Sequence, residues 1–482
     1  MSKLAPIYIL LWCDVEDYIT PRSDDPPKKI IEILTRYGVN ATFKVVAEKL
    51  RTLEARHRHD VTAALASVDI GYHLNTHSIH PTLYEYLGDK DLRTGAAEFF
   101  EREHDGCMYV NNVLGRSPSC FGHPGPTWTP HVYPAMPKMG IPVYLDETAI
   151  LNVNNSPYWY CNILNLNGAN RNFILLDYFF VRPDGLERIK KRFNRIYKRL
   201  RRNGGVVSVL LHPHTIVNSK FWDEVNFAKG RNPSPSEYVL PPPQAEEIIE
   251  RAYSDFEDFV KYMKTFPEVE FITARDAVSI FRDYPEDYEF DFKIVKRLAR
   301  RIVRNIHYQR IGEIYVSPAQ LFSLMSAVAA SYAGTSVLPK RITASTPLGP
   351  LAKSKTKGSR MLSTRSLLDA SKSVVDNLDR EGYIPTKVLV DKTTLSPDDY
   401  LATICSLLVS IGNGKTPRRM AVKKGNLTQW KYVNEKALKK ACRWIMLPDD
   451  FKAPRLLEQI LLQTWTLKPG AKGVFSARSL SS

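Results

Sequence analysis

The sequence lacks paired cysteines and long apolar runs. No CxxC pair occurs, so neither a zinc–thiolate site nor a disulfide framework is indicated, and a reducing compartment is expected. The apolar run "APIYILLW" near the start covers about eight residues, whereas a membrane-spanning helix needs about 20. It also has no small-residue cleavage site of the kind that follows a signal peptide. We therefore expect a buried strand here, no transmembrane segment and a cytoplasmic protein, with cell-envelope association as the alternative. The six cysteines are Cys13, Cys107, Cys120, Cys161, Cys405 and Cys442.

Acidic residues are scarce only in the second part of the chain. Residues 291–482 contain 33 Lys and Arg against 13 Asp and Glu, a net charge of +20, which leaves −4 for residues 1–290. A region this basic suits an acidic partner: a nucleic acid, a cell-wall polymer or another polyanion, or an anionic membrane. A solubilising surface would explain the same charge.

The length of 482 residues indicates two or more domains, and the first is predicted to cover residues 1–285. Short apolar runs alternate there with amphipathic, helix-like stretches. About eight strands in some 250 residues predict an α/β fold, a parallel (β/α) barrel. The strand candidates are "IYILLWCDV", "NATFKVV", "DIGYHLN", "PSCFGH", "IPVYLDE", "NFILLDYFF", "GVVSVLLH" and "VEFIT".

Residues 286–482 are predicted to form a smaller, basic and mainly helical accessory domain. The boundary is placed in the turn-rich stretch "RDYPEDYEFDF". Three degenerate repeats, at about 317–350, 366–397 and 400–428, each read as a helix, a proline and a β-rich run. The stretch "LAKSKTKGSRMLSTRS" between the first two is predicted to be a mobile linker.

Chemistry in parallel barrels lies at the carboxyl ends of the strands, and polar residues gather there in this sequence. Asp14, His73, His123, Asp146 and His212 each fall at or just after the end of a candidate strand. A carboxylate with two imidazoles is a common open coordination sphere for catalytic Zn²⁺. A divalent-metal site at this end of the barrel is therefore the leading interpretation, with solvated turns and hydrogen-bonded histidines as the alternative.

The stretch "DIGYHLNTHSIHPTL" contains His73, His77 and His80. On a helical turn, residues three or four apart share one face, which admits His73 with His77 or His77 with His80. His73 and His80 would lie about 10 Å apart along a helix axis, too far for one ion. His77 is therefore a candidate ligand in both pairs.

Four motifs together resemble the polysaccharide deacetylase family, the NodB-homology carbohydrate esterases. They are "CDVEDY", "RYGVNATFKV", "DIGYHLNTHSIHP" and "VVSVLLHPH", in the family's order and spacing, and the resemblance covers residues 5 to 280 approximately. It implies a distorted (β/α) barrel that removes acetyl groups from N-acetylated sugars with a divalent metal, most simply zinc, held by Asp-His-His. The carboxyl-terminal part resembles the pseudomurein-binding repeats more weakly, through "YIPTKVLV".

The resemblance also implies roles for individual residues. Asp14 matches the catalytic base, and Glu16 or Asp17 stands in the place of the metal carboxylate. The phase of "DIGYHLNTH" favours His73 with His77 as the metal ligands, whereas the proline after His80 favours His80 as the alternative ligand.

The remaining family motifs are matched unevenly. In "CFGHPGPTW" the arginine that orients the base is missing, because Gly122 or His123 stands in its place. His123 is the candidate replacement charge and, with Trp128, a candidate substrate-binding residue. In "VYLDET" Asp146 is the candidate that orients the acid, and "LLHPH" makes His212 the candidate general acid.

Three classes of function follow. The first is a metal-dependent deacetylase that hydrolyses the acetamide of N-acetylated amino sugars, in a polysaccharide or a glycan precursor. The second is a catalytically silent glycan-binding barrel, which the missing arginine favours. The third is a polyanion- or nucleic-acid-binding protein that acts through the basic domain.

Overall fold

The structure is a computed structural model that describes residues 5–168, 170–283 and 288–470. Part of the stretch predicted as a domain boundary, residues 284–287, lies outside the described residues. The first part of the chain alternates strands and helices. Its strands are β1 (Ile7–Val15), β2 (Thr42–Val45), β3 (Asp69–Tyr72), β4 (Cys120–Phe121), β5 (Val143–Asp146), β6 (Tyr158–Tyr160), β7 (Ile163–Asn167), β8 (Phe173–Leu175), β9 (Gly205–Leu211) and β10 (Val269–Ile272). Its helices are α1 (Asp25–Arg36), α2 (Ala47–Ala55), α3 (His59–Ala66), α4 (Leu83–Leu87), α5 (Leu92–Leu114), α6 (Asp177–Phe180), α7 (Gly185–Leu200), α8 (Trp222–Phe227), α9 (Glu246–Lys264) and α10 (Ala274–Ile280).

These strands form one curled sheet. Its order is β6-β7-β5-β4-β3-β2-β1-β9-β8, with β10 also paired to β1. All of these pairings are parallel except that of β6 with β7, which is an antiparallel hairpin. The arrangement is a distorted (β/α) barrel, which confirms the predicted fold class. All eight predicted strands are present, but the second half of "NFILLDYFF" was predicted wrongly, because β8 ends at Leu175 and helix α6 begins at Asp177. The hairpin of β6 and β7 was not predicted.

The residues of β1 alternate between two apolar clusters, because successive side chains of a strand point to opposite faces. Leu11, Cys13 and Val15 join the large cluster that the helices cover. Leu10 and Trp12 face the other way, into a cluster formed by residues of several barrel strands. Asp14 lies two residues after Trp12 and therefore on the same face of β1. This places its carboxylate over the carboxyl end of the barrel.

The second part of the chain is mainly helical, with short two-stranded sheets. Its strands are β11 (Phe290–Asp291), β12 (Gln309–Ile311), β13 (Ile314–Val316), β14 (Arg341–Ile342), β15 (Met361–Ser363), β16 (Val388–Val390), β17 (Thr393–Leu395), β18 (Arg419–Ala421) and β19 (Lys468–Pro469). Its helices are α11 (Phe292–Ile302), α12 (Pro318–Thr335), α13 (Thr364–Glu381), α14 (Pro397–Ile411), α15 (Glu435–Ala441) and α16 (Leu456–Gln463). Helices α11 to α14 pack around an apolar cluster of their own. In each predicted repeat a helix is followed by a proline and a short strand.

Several residues between 438 and 469 return to the barrel. Leu438, Leu447 and Ile460 belong to the barrel's large apolar cluster. Strand β19 pairs antiparallel with β6 and so extends the barrel sheet. The chain after the predicted boundary therefore contributes to two cores.

The segment predicted as a mobile linker is instead held by hydrogen bonds. The backbone of Lys357 exchanges two of them with Thr394, at 2.8 and 2.9 Å. The hydroxyl of Ser354 donates to the carbonyl of Thr386, and that of Thr356 donates to Asp399. Among the described residues, the helices are too short or too polar to span a membrane.

Candidate active site

Three buried side chains at the carboxyl ends of β1 and β3 converge on one point. Glu16 Oε2 lies 3.4 Å from His73 Nε2 and 3.1 Å from His77 Nε2. Glu16, His73 and His77 are 3%, 1% and 4% exposed, so they are almost wholly removed from solvent. Their ligand atoms lie within 4.8 Å of one another, as the ligands of a single metal ion would.

Neighbouring groups fix the orientation of each of these side chains. The other carboxylate oxygen of Glu16 accepts hydrogen bonds from His214 Nε2 at 3.2 Å and Trp222 Nε1 at 3.3 Å. His73 Nδ1 donates to the carbonyl of Gly122 at 3.0 Å, which leaves Nε2 with its lone pair towards Glu16. Such outer hydrogen bonds are typical of metal-ligating histidines, because they set the tautomer and the ring orientation.

His77 is oriented by a chain of two hydrogen bonds. Its Nδ1 lies 2.7 Å from the hydroxyl of Ser78, which donates to Asp223 at 3.0 Å. His77 does not lie on a helix, and its φ is +60°. The helical-turn geometry used to select the pair is therefore wrong, although the loop brings the His73 and His77 rings to 5.0 Å between centroids.

The residues fit a divalent cation on two further observations. His77 Nε2 is buried and has no hydrogen-bond partner among the described residues, although it faces a carboxylate. Burial raises the pKa of Glu16, but His77, His214 and His73 outweigh it, so the pKa lies well below its usual range. Burial and the charge of Lys44 lower the pKa of His73 and favour the neutral, ligating form. Burial lowers the pKa of His77, but Glu16 outweighs it and raises the pKa, so a cation would replace a proton on this ring. A carboxylate with two imidazoles is a donor set that Zn²⁺ accepts.

Asp14 lies beside this cluster and forms an ion pair with a buried lysine. Lys44 Nζ lies 3.1 Å from Asp14 Oδ1, and both side chains are buried. The parallel register of β1 and β2 places Asp14 opposite Lys44. Burial lowers the pKa of Lys44, but the carboxylates of Asp14 and Asp146 outweigh burial and raise the pKa above its usual value. The lysine is therefore charged.

The space for Lys44 depends on Gly122. A Cβ at Gly122 would lie 2.3 Å from Lys44 Nζ, so no larger residue fits while the lysine holds this position. The resemblance leads us to expect an arginine at this point of the chain. Gly122 stands there instead, and the Lys44 ammonium from β2 occupies the space beside it. His123 does not supply that charge, because burial and Lys44 keep its pKa well below the usual range.

His212 forms a dyad with an aspartate that the sequence analysis did not single out. Asp177 accepts hydrogen bonds from the backbone N–H of His212 at 2.9 Å and from its Nδ1 at 2.6 Å. His212 Nε2 lies 3.7 Å from Asp14 Oδ2. Burial lowers the pKa of His212, but Asp177 outweighs it and raises the pKa well above its usual value. The ring therefore carries a proton beside Asp14.

Asp146 does not take the orienting role predicted for it. Its Oδ2 accepts hydrogen bonds from the backbone of His123 at 2.8 Å and from Tyr144 at 2.6 Å, and its Oδ1 accepts one from Glu147. The carboxylate is thus used to hold the loop after β4. Asp177 stands beside His212 because β8 pairs with β9, an adjacency that the sequence pattern did not reveal.

Four other candidates from the sequence lie outside the cluster. Asp17 accepts hydrogen bonds from the backbones of Ile19 and Thr20 and from the side chain of Asn218, so it stabilises a turn. His80 is hydrogen-bonded to Glu85 at 2.6 Å and to the carbonyl of Phe227. His123 and Trp128 are buried, and their contact with a substrate stays a prediction.

Two local features of the sequence could have identified Lys44 and Asp177. Lys44 is the single charged residue of "NATFKVV", and a lysine in a strand otherwise suited to burial requires a buried partner. Asp177 directly follows the apolar run "NFILL", the same position relative to a strand that marked Asp14 and His212.

No protein-family model and no curated protein matches the chain. Solved structures do match it. An allantoinase is 14% identical, with 57% of this chain and 91% of the other covered and a TM-score of 0.38. A putative polysaccharide deacetylase from Mycobacterium smegmatis is 13% identical, with 58% and 91% covered and a TM-score of 0.36. A probable polysaccharide deacetylase from Pseudomonas aeruginosa PAO1 is 13% identical, with 57% and 90% covered and a TM-score of 0.37.

Two of these three matches are named for the family that the sequence motifs resemble. At such identities, and with TM-scores below 0.4, the likeness does not define a substrate or a reaction for this chain. The chemistry of this chain is therefore inferred from the residues of its own site.

Proposed function

We propose that the protein is a metal-dependent hydrolase that removes the acetyl group from N-acetylated amino sugars, in a polysaccharide or a glycan precursor. The observation that carries the proposal is the convergence of Glu16, His73 and His77 beside a carboxylate and a protonated histidine that face each other. Metal-assisted amide hydrolysis needs these parts: a cation site, a base and an acid.

Glu16, His73 and His77 would hold the cation, most simply Zn²⁺. When bound, such an ion polarises an acyl carbonyl and lowers the pKa of water. Asp14 is placed to accept the proton of the attacking water, and the Lys44 ammonium lies 3.1 Å from its carboxylate. His212 is placed to give its Nε2 proton to the departing nitrogen, since Asp177 holds the opposite side of the ring.

Glu16→Gln is expected to reduce zinc binding to less than one-tenth of that of the unaltered protein, and to abolish acetate release from N-acetylated sugars. A neutral amide cannot balance the charge of the cation, whereas it occupies the same volume. The measurements are zinc content by atomic absorption after dialysis and acetate release from a panel of N-acetylated sugars.

His80→Gln is the matched control, because His80 lies in the same loop but is bonded to Glu85. It should retain one zinc ion and full activity. Loss of zinc in this control, or its retention in Glu16→Gln, would contradict the ligand set. A protein that binds zinc but releases no acetate from any sugar would instead be the silent glycan-binding barrel.

A groove in the second part of the chain favours polyanion binding as a second candidate function. It has a volume of about 880 Å³, and its lining includes four exposed lysines and Trp430, whose side chain is 62% exposed. The lysines are Lys353, Lys355, Lys357 and Lys387. Within the described ranges, none of them forms an ion pair. Free ammonium groups beside an exposed aromatic ring suit an anionic polymer.

Replacing Lys353, Lys355 and Lys357 by Glu together should weaken binding to heparin at least tenfold at low salt. It should also flatten the salt dependence, because fewer counterions are released. A matched control replaces three exposed basic residues of α7, Lys191, Arg195 and Lys198, by Glu and makes the same change in net charge. Equal weakening by both triple variants would show that net charge acts, and not the groove.

A further inference from the structure

A segment of the chain crosses the barrel mouth. We call residues 432–455 the strap. At one end, Asn434 N–H donates to the carbonyl of Ile150 at 2.7 Å, and Asn152 N–H donates to that of Tyr432 at 3.1 Å. Ile150 and Asn152 lie in the loop after β5, at the end of the barrel where the candidate site lies.

The middle of the strap is attached to two further loops at the same end. Lys229 N–H donates to the carbonyl of Ile445 at 2.8 Å, and Gly230 N–H donates to that of Met446 at 2.9 Å. Trp444 packs on Gly125, in the loop after β4, so closely that a Cβ there would lie 2.5 Å from the indole ring. The strap thus spans the loops after β4, β5 and β9.

The strap covers one side of the cluster of Glu16, His73 and His77. The ring of Trp222 lies 5.5 Å from that of His77 and donates a hydrogen bond to Glu16. Trp222 in turn shares an apolar cluster with Met446 and Trp444 of the strap. On this side, the cation ligands are therefore covered first by Trp222 and then by the strap.

The side chains around the general acid are more exposed than the cation ligands. The His212 side chain is 12% exposed, more than any of the cation ligands. The Phe221 ring packs against it at 5.3 Å, and Tyr178, 66% exposed, follows its partner Asp177 in sequence. Glu147 also lies here, and burial and nearby carboxylates, opposed by His212, raise its pKa to about 7.

We propose that the strap restricts the site to acetyl groups at the end of a glycan chain or on a short saccharide, with Trp444 as the residue that determines this specificity. An internal sugar continues in two directions and needs a cleft open on both sides, whereas the strap leaves an approach on one side. This inference depends on the proposed deacetylase function, and it names the substrate form that the site accepts.

The test uses the full-length, zinc-loaded protein with a hexamer of N-acetylglucosamine, and mass spectrometry locates the units that lose acetate. The unaltered protein should deacetylate a terminal unit. Trp444→Ala should raise the ratio of internal to terminal deacetylation at least tenfold. Leu389→Ala removes a large apolar side chain that is 66% exposed and lies outside both the strap and the lysine groove, and it should leave the ratio unchanged. Internal deacetylation by the unaltered protein at the terminal rate would overturn the proposal.

A second measurement does not depend on activity. EDTA should remove zinc from Trp444→Ala at least ten times faster than from the unaltered protein or Leu389→Ala, because the covered side of the cluster becomes accessible. Equal rates would overturn the role of the strap, even if the protein is active. Faster zinc loss from Trp444→Ala without acetate release from any sugar would refute the deacetylase function and leave the covering role of the strap supported.

Discussion

Asp14→Asn is expected to lower kcat by about 10²–10⁴-fold, the usual contribution of a general base, while zinc content stays at that of the unaltered protein. Asparagine has the same shape but cannot accept a proton from water. Asp14 belongs to a second possible ligand group, with Glu16 and His212, but Asp14→Asn leaves the three ligands Glu16, His73 and His77 in place, so the cation should remain bound. Acetate release under saturating substrate and zinc content, measured on the same preparation, check this result.

The two measurements separate the roles of neighbouring carboxylates. Glu16→Gln should lose both zinc and activity, whereas Asp14→Asn should lose activity alone. Unchanged acetate release from Asp14→Asn on a broad panel of N-acetylated sugars would contradict its assignment as the base. Loss of zinc together with activity would instead make Asp14 a ligand.

Lys44→Met is expected to lower both the free energy of unfolding and kcat. Removing one partner of a buried ion pair costs about 3–5 kcal/mol, because the remaining charge is left unpaired away from water. Here the remaining charge is the Asp14 carboxylate, which would lose the partner that holds it beside the cluster of Glu16, His73 and His77. Denaturant unfolding and kcat of the folded protein check the two effects.

Lys49→Met is a matched control, since Lys49 is also buried and forms an ion pair with Asp24 at 2.5 Å, outside the site. Asp24 keeps its ion pair with Arg56, so Lys49→Met should lose less stability than Lys44→Met, while the kcat of the folded protein stays unchanged. The double variant Lys44→Met with Asp14→Asn should recover much of the stability but no activity. A fully active Lys44→Met protein would contradict the role of this lysine.

The strands could be predicted from the sequence because their signals are local. Short apolar runs bounded by turn residues identify β1 to β5 and β8 to β10 without knowledge of their neighbours. The same local rule led to Asp14 and His212, since a polar residue directly after a buried strand is visible in the sequence. The hairpin of β6 and β7 was missed because "YWYCNILNLN" contains polar residues that the barrel buries.

The pairing of side chains across the site could not be predicted from these local signals. Lys44 meets Asp14 through the register of two strands, and Asp177 meets His212 through the adjacency of β8 and β9. Asp146 matched the expected sequence position but is bonded to Tyr144 and the loop after β4. The histidine pair was selected by assuming a helical turn, whereas a loop brings the two rings together. Lys44 as the partner of Asp14, and Asp177 as the partner of His212, could therefore be identified only from the three-dimensional structure.

The pairing of β19 with β6 has a consequence for synthesis of the chain. Lys468 pairs with Trp159, so more than 300 residues must follow β6 before this edge of the barrel sheet is covered. The contact is reinforced by hydrogen bonds from Tyr160 to Ile460 and from Cys161 to Thr466. Contacts this distant in sequence form late, because the intervening loop must first be closed. During translation, the barrel therefore presents an exposed strand edge, open to other chains, until Lys468 and Pro469 have left the ribosome.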